Sequence, residues 1–314
     1  MRAARRGIAR RARTKGTTFA TAALVAVSLG AVSLEAQVAS VQGASAASPA
    51  IKSMAEAHLG CAGVDGDGYW QVSAAGGVFA NGSATFYGSE GGATLNKPIV
   101  GMAPSVDGRG YWLVASDGGV FSFGDAPFEG STGAMHLNSP IVGIVPTADG
   151  QGYWLVAADG GVFSFGDAIF YGSEGAAHLN KPIVGMASSK DGRGYWLVAS
   201  DGGVFSFGDA VFYGSLGATP LNKPIVGMAP ARNGNGYVLA ASDGGVFTFG
   251  ASAFYGSAAG QANAPVVGVA GTFTGSGYTL ATSGGGIYNY GDSPFCDVAG
   301  SASSNSPIVG LAFY

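Results

Sequence analysis

Cysteine occurs twice and histidine three times in 314 residues, and charged side chains make up only 11% of the chain. So few thiols and imidazoles exclude a disulfide-dense framework, a Cys pair at zinc spacing and a His-Glu-x-x-His helix. The Gly-x-Ser-x-Gly turn of a serine hydrolase is also missing, since Gly88-Ser89-Glu90-Gly91 and its relatives fall one residue short of it. No Gly-rich phosphate loop occurs. Asp65-Gly66-Asp67-Gly68 starts like a calcium loop but lacks the third carboxylate and the terminal Glu, and it aligns with the turn Asp107-Gly108-Arg109-Gly110. We read it as a turn, and we expect no metal, no cofactor and no catalytic residue that spacing alone can reveal.

Long apolar runs are equally scarce, and the one from Phe19 to Leu34 follows Arg2, Arg5, Arg6, Arg10, Arg11, Arg13 and Lys15. That order of charge and hydrophobicity is an export signal, expected over residues 1–46 with Ala44-Ser45-Ala46 at the cleavage point. An uncleaved anchor is the alternative, and Arg5-Arg6 hints at twin-arginine export. Without residues 1–46 the chain keeps 8 basic and 18 acidic residues, a net charge of −10. Such a surface excludes nucleic acid, which needs clustered Lys and Arg. The expected compartment is secreted or envelope-associated, with residues 47–63 as a lead-in segment.

What fills the remainder, residues 64–314, is one unit repeated six times. The tyrosines Tyr69, Tyr111, Tyr153, Tyr195, Tyr237 and Tyr278 stand 42, 42, 42, 42 and 41 residues apart. In the copy from Pro98 to Gly130, Pro98-Ile-Val-Gly-Met-Ala103 reads as a strand and Asp107 to Gly110 as a turn. Tyr111 to Ser116 and Gly119 to Phe123 follow as a hairpin whose Asp117-Gly118 suggests a type I′ turn. The aromatic segment near Phe128 reads as a short outer strand. Four antiparallel strands in each of six units predict an all-β, six-bladed β-propeller, with a monomer sufficing. Two fused β-trefoils are the lesser alternative.

The count of strands also predicts how a ring closes. Pro-Ile/Val-Val-Gly occurs at Pro98, Pro140, Pro182, Pro224, Pro265 and Pro307, while Tyr69 has no good copy before it. Residues 307–313 are therefore expected to supply the missing inner strand of the first unit; the competing register uses His58-Leu59-Gly60-Cys61. Closure of that kind hides two strand edges. Cys61 lies before the first unit and Cys296 replaces an aromatic in the last, so a disulfide between them is expected in an exported chain. The Trp positions 70, 112, 154 and 196 read as packing between blades, with a sugar-stacking ladder as the alternative.

Gly110-Tyr-Trp-Leu-Val-Ala-Ser-Asp-Gly-Gly-Val-Phe-Ser-Phe-Gly-Asp-Ala126, together with Leu95-Asn-Lys-Pro-Ile-Val-Gly-Met-Ala103, resembles a tandem repeat of secreted actinobacterial proteins, where it is often appended to cell-wall or hydrolytic domains. The resemblance covers about 250 residues and implies an exported, envelope-associated propeller. It transfers no catalytic residue.

Carboxylates recur but read as structural. Asp117, Asp159, Asp201 and Asp243 sit in the hairpins, and Asp125, Asp167, Asp209 and Asp292 in the next turn, where a side-chain acceptor caps the backbone. Glu90 and Glu174 occupy equivalent places in the first and third units, too far apart to act as a hydrolytic pair. The connections between units carry the better candidates. Asn96, Asn138, Asn180, Asn222, Asn263 and Asn305 each stand two residues before the inner-strand Pro, which also suits a capped turn. Lys97, Lys181, Lys223, His136 and His178 are added in some connections only, and variable additions on a constant frame are how sites are grafted onto folds.

The expected function is therefore a non-enzymatic binding module. Asn96, Lys97, His136, Asn138, His178, Asn180, Lys181, Asn222 and Lys223 would face a cell-wall glycan or other anionic envelope component at a channel mouth. The alternatives are a hydrolase or lyase acting on polysaccharide or ester at that mouth, and a scaffold for another exported protein.

Overall fold

A computed structural model describes residues 68–293 and 305–313, in which every regular element is a β-strand. The strands form six three-stranded antiparallel sheets, here A to F. Sheet A contains β1 (Tyr69–Ser73) and β2 (Val78–Asn81). Sheet B is β3 (Ile99–Pro104), β4 (Gly110–Ala115) and β5 (Val120–Gly124), and sheet C is β6 (Ile141–Pro146), β7 (Gly152–Ala157) and β8 (Val162–Gly166). Sheet D follows with β9 (Ile183–Ser188), β10 (Gly194–Ala199) and β11 (Val204–Gly208), then sheet E with β12 (Ile225–Pro230), β13 (Gly236–Ala241) and β14 (Val246–Gly250). Sheet F is β15 (Val266–Gly271), β16 (Gly277–Thr282) and β17 (Ile287–Gly291). The last strand, β18 (Ile308–Phe313), leaves its sequence neighbours and pairs with β1, giving sheet A the order β18-β1-β2.

The middle strand of each sheet is buried at every position. Both of its faces meet a neighbouring sheet, which is why Gly-Tyr-Trp-Leu-Val-Ala is almost continuously apolar rather than alternating. From β4, Trp112 and Val114 pack forward onto Tyr153 and Leu155 of β7, while Tyr111 and Leu113 pack back onto Trp70 and Val72 of β1. All four Trp side chains are fully buried, so the sugar-stacking alternative has no ring face to offer.

The first strands of the sheets pack in succession, β3 on β6, β6 on β9, β9 on β12, β12 on β15, β15 on β18 and β18 on β3. Backbone bonds cross each joint. The amides of Ile99, Ile141, Ile183, Ile225, Val266 and Ile308 donate to the carbonyls of Ala74, Ser116, Ala158, Ser200, Ser242 and Ser283, at 2.9 to 3.0 Å. Each bond satisfies the first amide of an inner strand with a carbonyl at the end of the preceding sheet's middle strand.

Two local expectations are corrected. The hairpin turns centre on Ser116 and Asp117, with Gly118 N–H donating to the Ala115 carbonyl and Gly118 in the left-handed region at φ +79. This is a three-residue loop with a Gly bulge rather than a type I′ pair, and Asp117 Oδ1 caps it by accepting from Gly119 N–H at 3.0 Å. A Cβ on Gly118 would lie 1.7 Å from Thr132 Oγ1, so the bulge needs glycine for space as well as for φ.

The outer aromatic segment, moreover, forms no strand among the described residues. Its backbone is held by side chains instead. The indole N–H of Trp70, Trp112, Trp154 and Trp196 donates to the carbonyls of Thr85, Pro127, Ile169 and Val211 of the same repeat. The next sheet's tyrosine then takes the segment from the other side: Tyr153 Oη donates to the Gly130 carbonyl at 2.5 Å and accepts from Glu129 N–H at 3.2 Å.

Each of these tyrosines is therefore a clasp between consecutive repeats. Tyr153→Phe keeps the ring and strands a backbone donor and an acceptor, so it is expected to lower unfolding free energy by about 1–3 kcal/mol in urea titration. An unchanged midpoint would show that water replaces the clasp.

Cys61, Cys296, Asp65 and the His58–Cys61 register lie outside the described residues.

Candidate functional site

Each of the five connections from sheet A through to sheet F begins with a backbone bond to the hairpin of the sheet it leaves, as when Glu90 N–H donates to the Gly76 carbonyl and Glu174 N–H to that of Gly160. A tight turn follows, Ala93 N–H donating to the Glu90 carbonyl, and the chain then enters the Asn-x-Pro segment. Proline ends the connection because no amide is needed at that point, while its carbonyl accepts from the hairpin of the sheet being entered: Pro98 from Ser116 N–H, Pro182 from Ser200 N–H, Pro224 from Ser242 N–H. The backbone thus pins the connection and the hairpin together at one end of the sheets, and the side chains of Asn and Lys are left to solvent.

All nine candidates in the connections, Asn96, Lys97, His136, Asn138, His178, Asn180, Lys181, Asn222 and Lys223, are exposed. The structure gathers four of them. A groove of about 330 Å³ is lined by Lys181, Ser200, Asp201, Thr219, Leu221, Asn222, Lys223 and Pro224. A second, of about 250 Å³, adjoins it through Lys181 and includes Asp159, Asn180 and Pro182. Neither groove includes Asn96, Lys97, His136, Asn138 or His178. Lys181 and Lys223 meet because they stand in successive connections, whereas Ser139 occupies the equivalent place between Lys97 and Lys181.

In the sequence Asp159 and Asp201 are legible only as turn residues, and they are that: Oδ1 of each accepts an amide at 3.0 Å, from Gly161 and Gly203. Their second role follows from the joint bonds. Because Ile225 N–H reaches the Ser200 carbonyl, the Asp201 hairpin of sheet D is held beside the connection that carries Asn222 and Lys223. The groove therefore brings two ammonium groups, a carboxylate, an amide and two hydroxyls together over the apolar edges of Leu221 and Pro224.

Glu90 and Glu174 belong to the connections leaving sheets A and C, with sheet B between, and are not brought together. At the opposite end of the sheets, carboxylates do pair. Thr147 Oγ1 donates to Asp149 Oδ1 at 2.8 Å, and this bond holds the Asp149 carboxyl below its ordinary value. Asp167 moves the other way, raised by desolvation and then by its hydrogen bond with Asp149. Asp107 and Asp191 are lowered chiefly by the amides of Arg109 and Arg193. In sheet F Thr274 stands in place of the first carboxylate, and it and Thr272, the counterpart of Thr147, both donate to Asp292. Among the described residues no group of three His, Cys, Asp or Glu side chains could hold a metal ion.

No protein-family model matches the chain, and no curated protein matches it.

Proposed function

We propose that the protein is a secreted, envelope-associated binding module of the repeat type its sequence resembles, and that its ligand is a glycan carrying carboxylate or phosphate groups. The observation that carries this reading is the pair of adjoining grooves sharing Lys181. An open groove with amide and hydroxyl groups over an apolar floor suits sugar hydroxyls and ring faces, and two lysines at one wall suit anionic substituents. Because the grooves adjoin, a polymer can engage both at once, and the second contact adds avidity without new chemistry.

The same reading treats the six sheets as blades of a closed propeller, the outer aromatic segment standing where a fourth strand would. Support comes from β18 pairing with β1 and from joint bonds that run from Ala74 round to Ser283. Closure would fix the grooves beside the hairpins of sheets C and D on a rigid rim.

Lys181→Ala/Lys223→Ala is expected to weaken binding to anionic cell-wall polysaccharide by about 10- to 100-fold while leaving the melting temperature within about 2 °C, since surface substitutions away from packed groups cost little. Affinity of the parent should also fall as salt rises. Parent and variant binding alike would remove the grooves from the reading.

A hydrolase is the second reading, favoured by Asp149 and Asp167, whose carboxyls are pushed in opposite directions as an acid and a base require. The same geometry recurs with Asp107 and Asp191, as a turn device would. Release of reducing ends from cell-wall polysaccharide, abolished by Asp149→Asn/Asp167→Asn, would establish it; absence of release leaves the binding module.

A further inference from the structure

Five of the joints between sheets are closed by apolar clusters: A with B, B with C, C with D, D with E and E with F. The described residues form no such cluster between F and A, although the two sheets are held together there by Ile308 N–H donating to the Ser283 carbonyl. Substitution at equivalent positions explains this. Where the other sheets present Leu113, Leu155, Leu197, Leu239 and Leu280, β1 presents Gln71, which is completely buried. Where sheets B, C and D present Trp112, Trp154 and Trp196, and sheet E presents Val238, β16 presents Thr279, also completely buried.

The polar groups at this joint are only partly satisfied. Gln71 Nε2 donates to the Gly285 carbonyl of the sheet F hairpin at 3.2 Å, and Gln71 Oε1 has no partner. Asn289, opposite Thr279 in the strand register, accepts from the hydroxyls of Thr279 and Ser293, and its Nδ2 has no partner. Turning the Asn289 amide over moves the deficit to the oxygen without removing it. A buried amide end left unpaired costs about 1–3 kcal/mol, and ordered water is the usual remedy.

We propose that the joint between sheets F and A is a hydrated polar seam, with water on Gln71 Oε1 and on Asn289 Nδ2, and that it is the joint at which the fold opens first. Among the described residues, opening there wets Gln71 and Thr279 where the apolar joints bury Leu and Trp or Val, and it offers water to two groups that closure leaves short of partners. It also releases β18, the strand that brings the end of the chain back to its first sheet. The grooves beside the hairpins of sheets C and D lie at other joints and stay assembled while this one opens.

Native-state hydrogen exchange tests this, because one equivalent amide crosses every joint. Ile308 N–H is expected to exchange at least about tenfold faster than Ile141, Ile183 and Ile225 N–H. Equal protection at all four would overturn the proposal. Simple fraying of a terminal strand predicts the same fast exchange, so a variant must separate the two. Gln71→Leu/Thr279→Val/Asn289→Thr installs side chains the chain already uses at the equivalent positions 113, 238 and 248. It is expected to bring Ile308 to within about threefold of the other amides. A folded variant in which Ile308 stays as fast as in the parent would overturn the seam in favour of fraying. If the triple variant does not fold, Gln71→Leu alone separates seam from fraying by the same comparison.

Discussion

Replacing Trp154 by Ala is expected to lower the unfolding free energy by about 3–5 kcal/mol, the range found when a large aromatic is deleted from a packed core. Trp154 is 1% exposed and does two jobs. Its ring lies 5.6 Å from Tyr195 and 6.5 Å from Tyr171, so it fills the joint between sheets C and D. Its indole N–H donates to the Ile169 carbonyl at 2.8 Å, so it also anchors the outer segment that has no strand partner. Alanine empties the first place and orphans the carbonyl in the second. Trp154→Phe separates the two, keeping most of the ring and losing the bond, and should cost less than half as much as Ala. Urea titration followed by circular dichroism measures both. A loss below about 1 kcal/mol for Trp154→Ala would mean that the joint collapses around the gap, as sheet E already manages with Val238.

That anchoring explains which parts of the fold are legible in the sequence. A strand is announced by its own residues when its partners are other strands, and β3 to β5 and their copies are readable from β-branched and aromatic runs punctuated by Gly. The return of β18 to β1 is readable as well, because counting Pro-Ile-Val-Gly copies against Tyr69 leaves one strand over. The segment around Phe128 reads wrongly as a strand, since its aromatic content looks the same whether the backbone is held by a neighbouring strand or by Trp112 and Tyr153. Only the indole and phenol bonds distinguish the two cases, and they connect residues 15 and 23 positions apart. The hairpin reads wrongly by one residue because Asp-Gly serves both a type I′ pair and a bulged loop.

For the site, repetition picks out the connections but not the sector. Nine candidates look alike in sequence, and the structure draws Asn180, Lys181, Asn222 and Lys223 into adjoining grooves because lysines occur in successive connections only there. Asp201 joins them through a role its turn could not announce. The polar seam is visible in the sequence as departures from the repeat at 71 and 279, yet they carry meaning only once sheets F and A are seen to share a joint.

Alkaline pH is expected to unfold the protein in one cooperative step. Tyr111, Tyr153, Tyr195, Tyr237 and Tyr278 are each raised above the ordinary phenol value of 10.0, with burial as the main cause. Tyr290 is raised as well, again first by burial. The folded state thus binds these protons more tightly than the unfolded state does. Their contribution to stability is fully present below pH 10 and is lost as pH rises through the folded values. The geometry makes the loss steep, because each of the five clasp tyrosines donates its hydroxyl proton to a glycine carbonyl, at 2.5 to 2.6 Å. A phenolate has no proton to donate and faces that carbonyl oxygen with a like charge. The clasps recur at successive joints, so ionising one loosens the next and titration is coupled to unfolding. The rise in tyrosinate absorbance should coincide with the loss of β-sheet circular dichroism. Tyrosines that ionise near pH 10 while the sheet signal persists would show that the clasps open locally. Tyr153→Phe supplies the internal check: its deficit relative to the parent should shrink as pH climbs past 10, since the parent then loses the same bond.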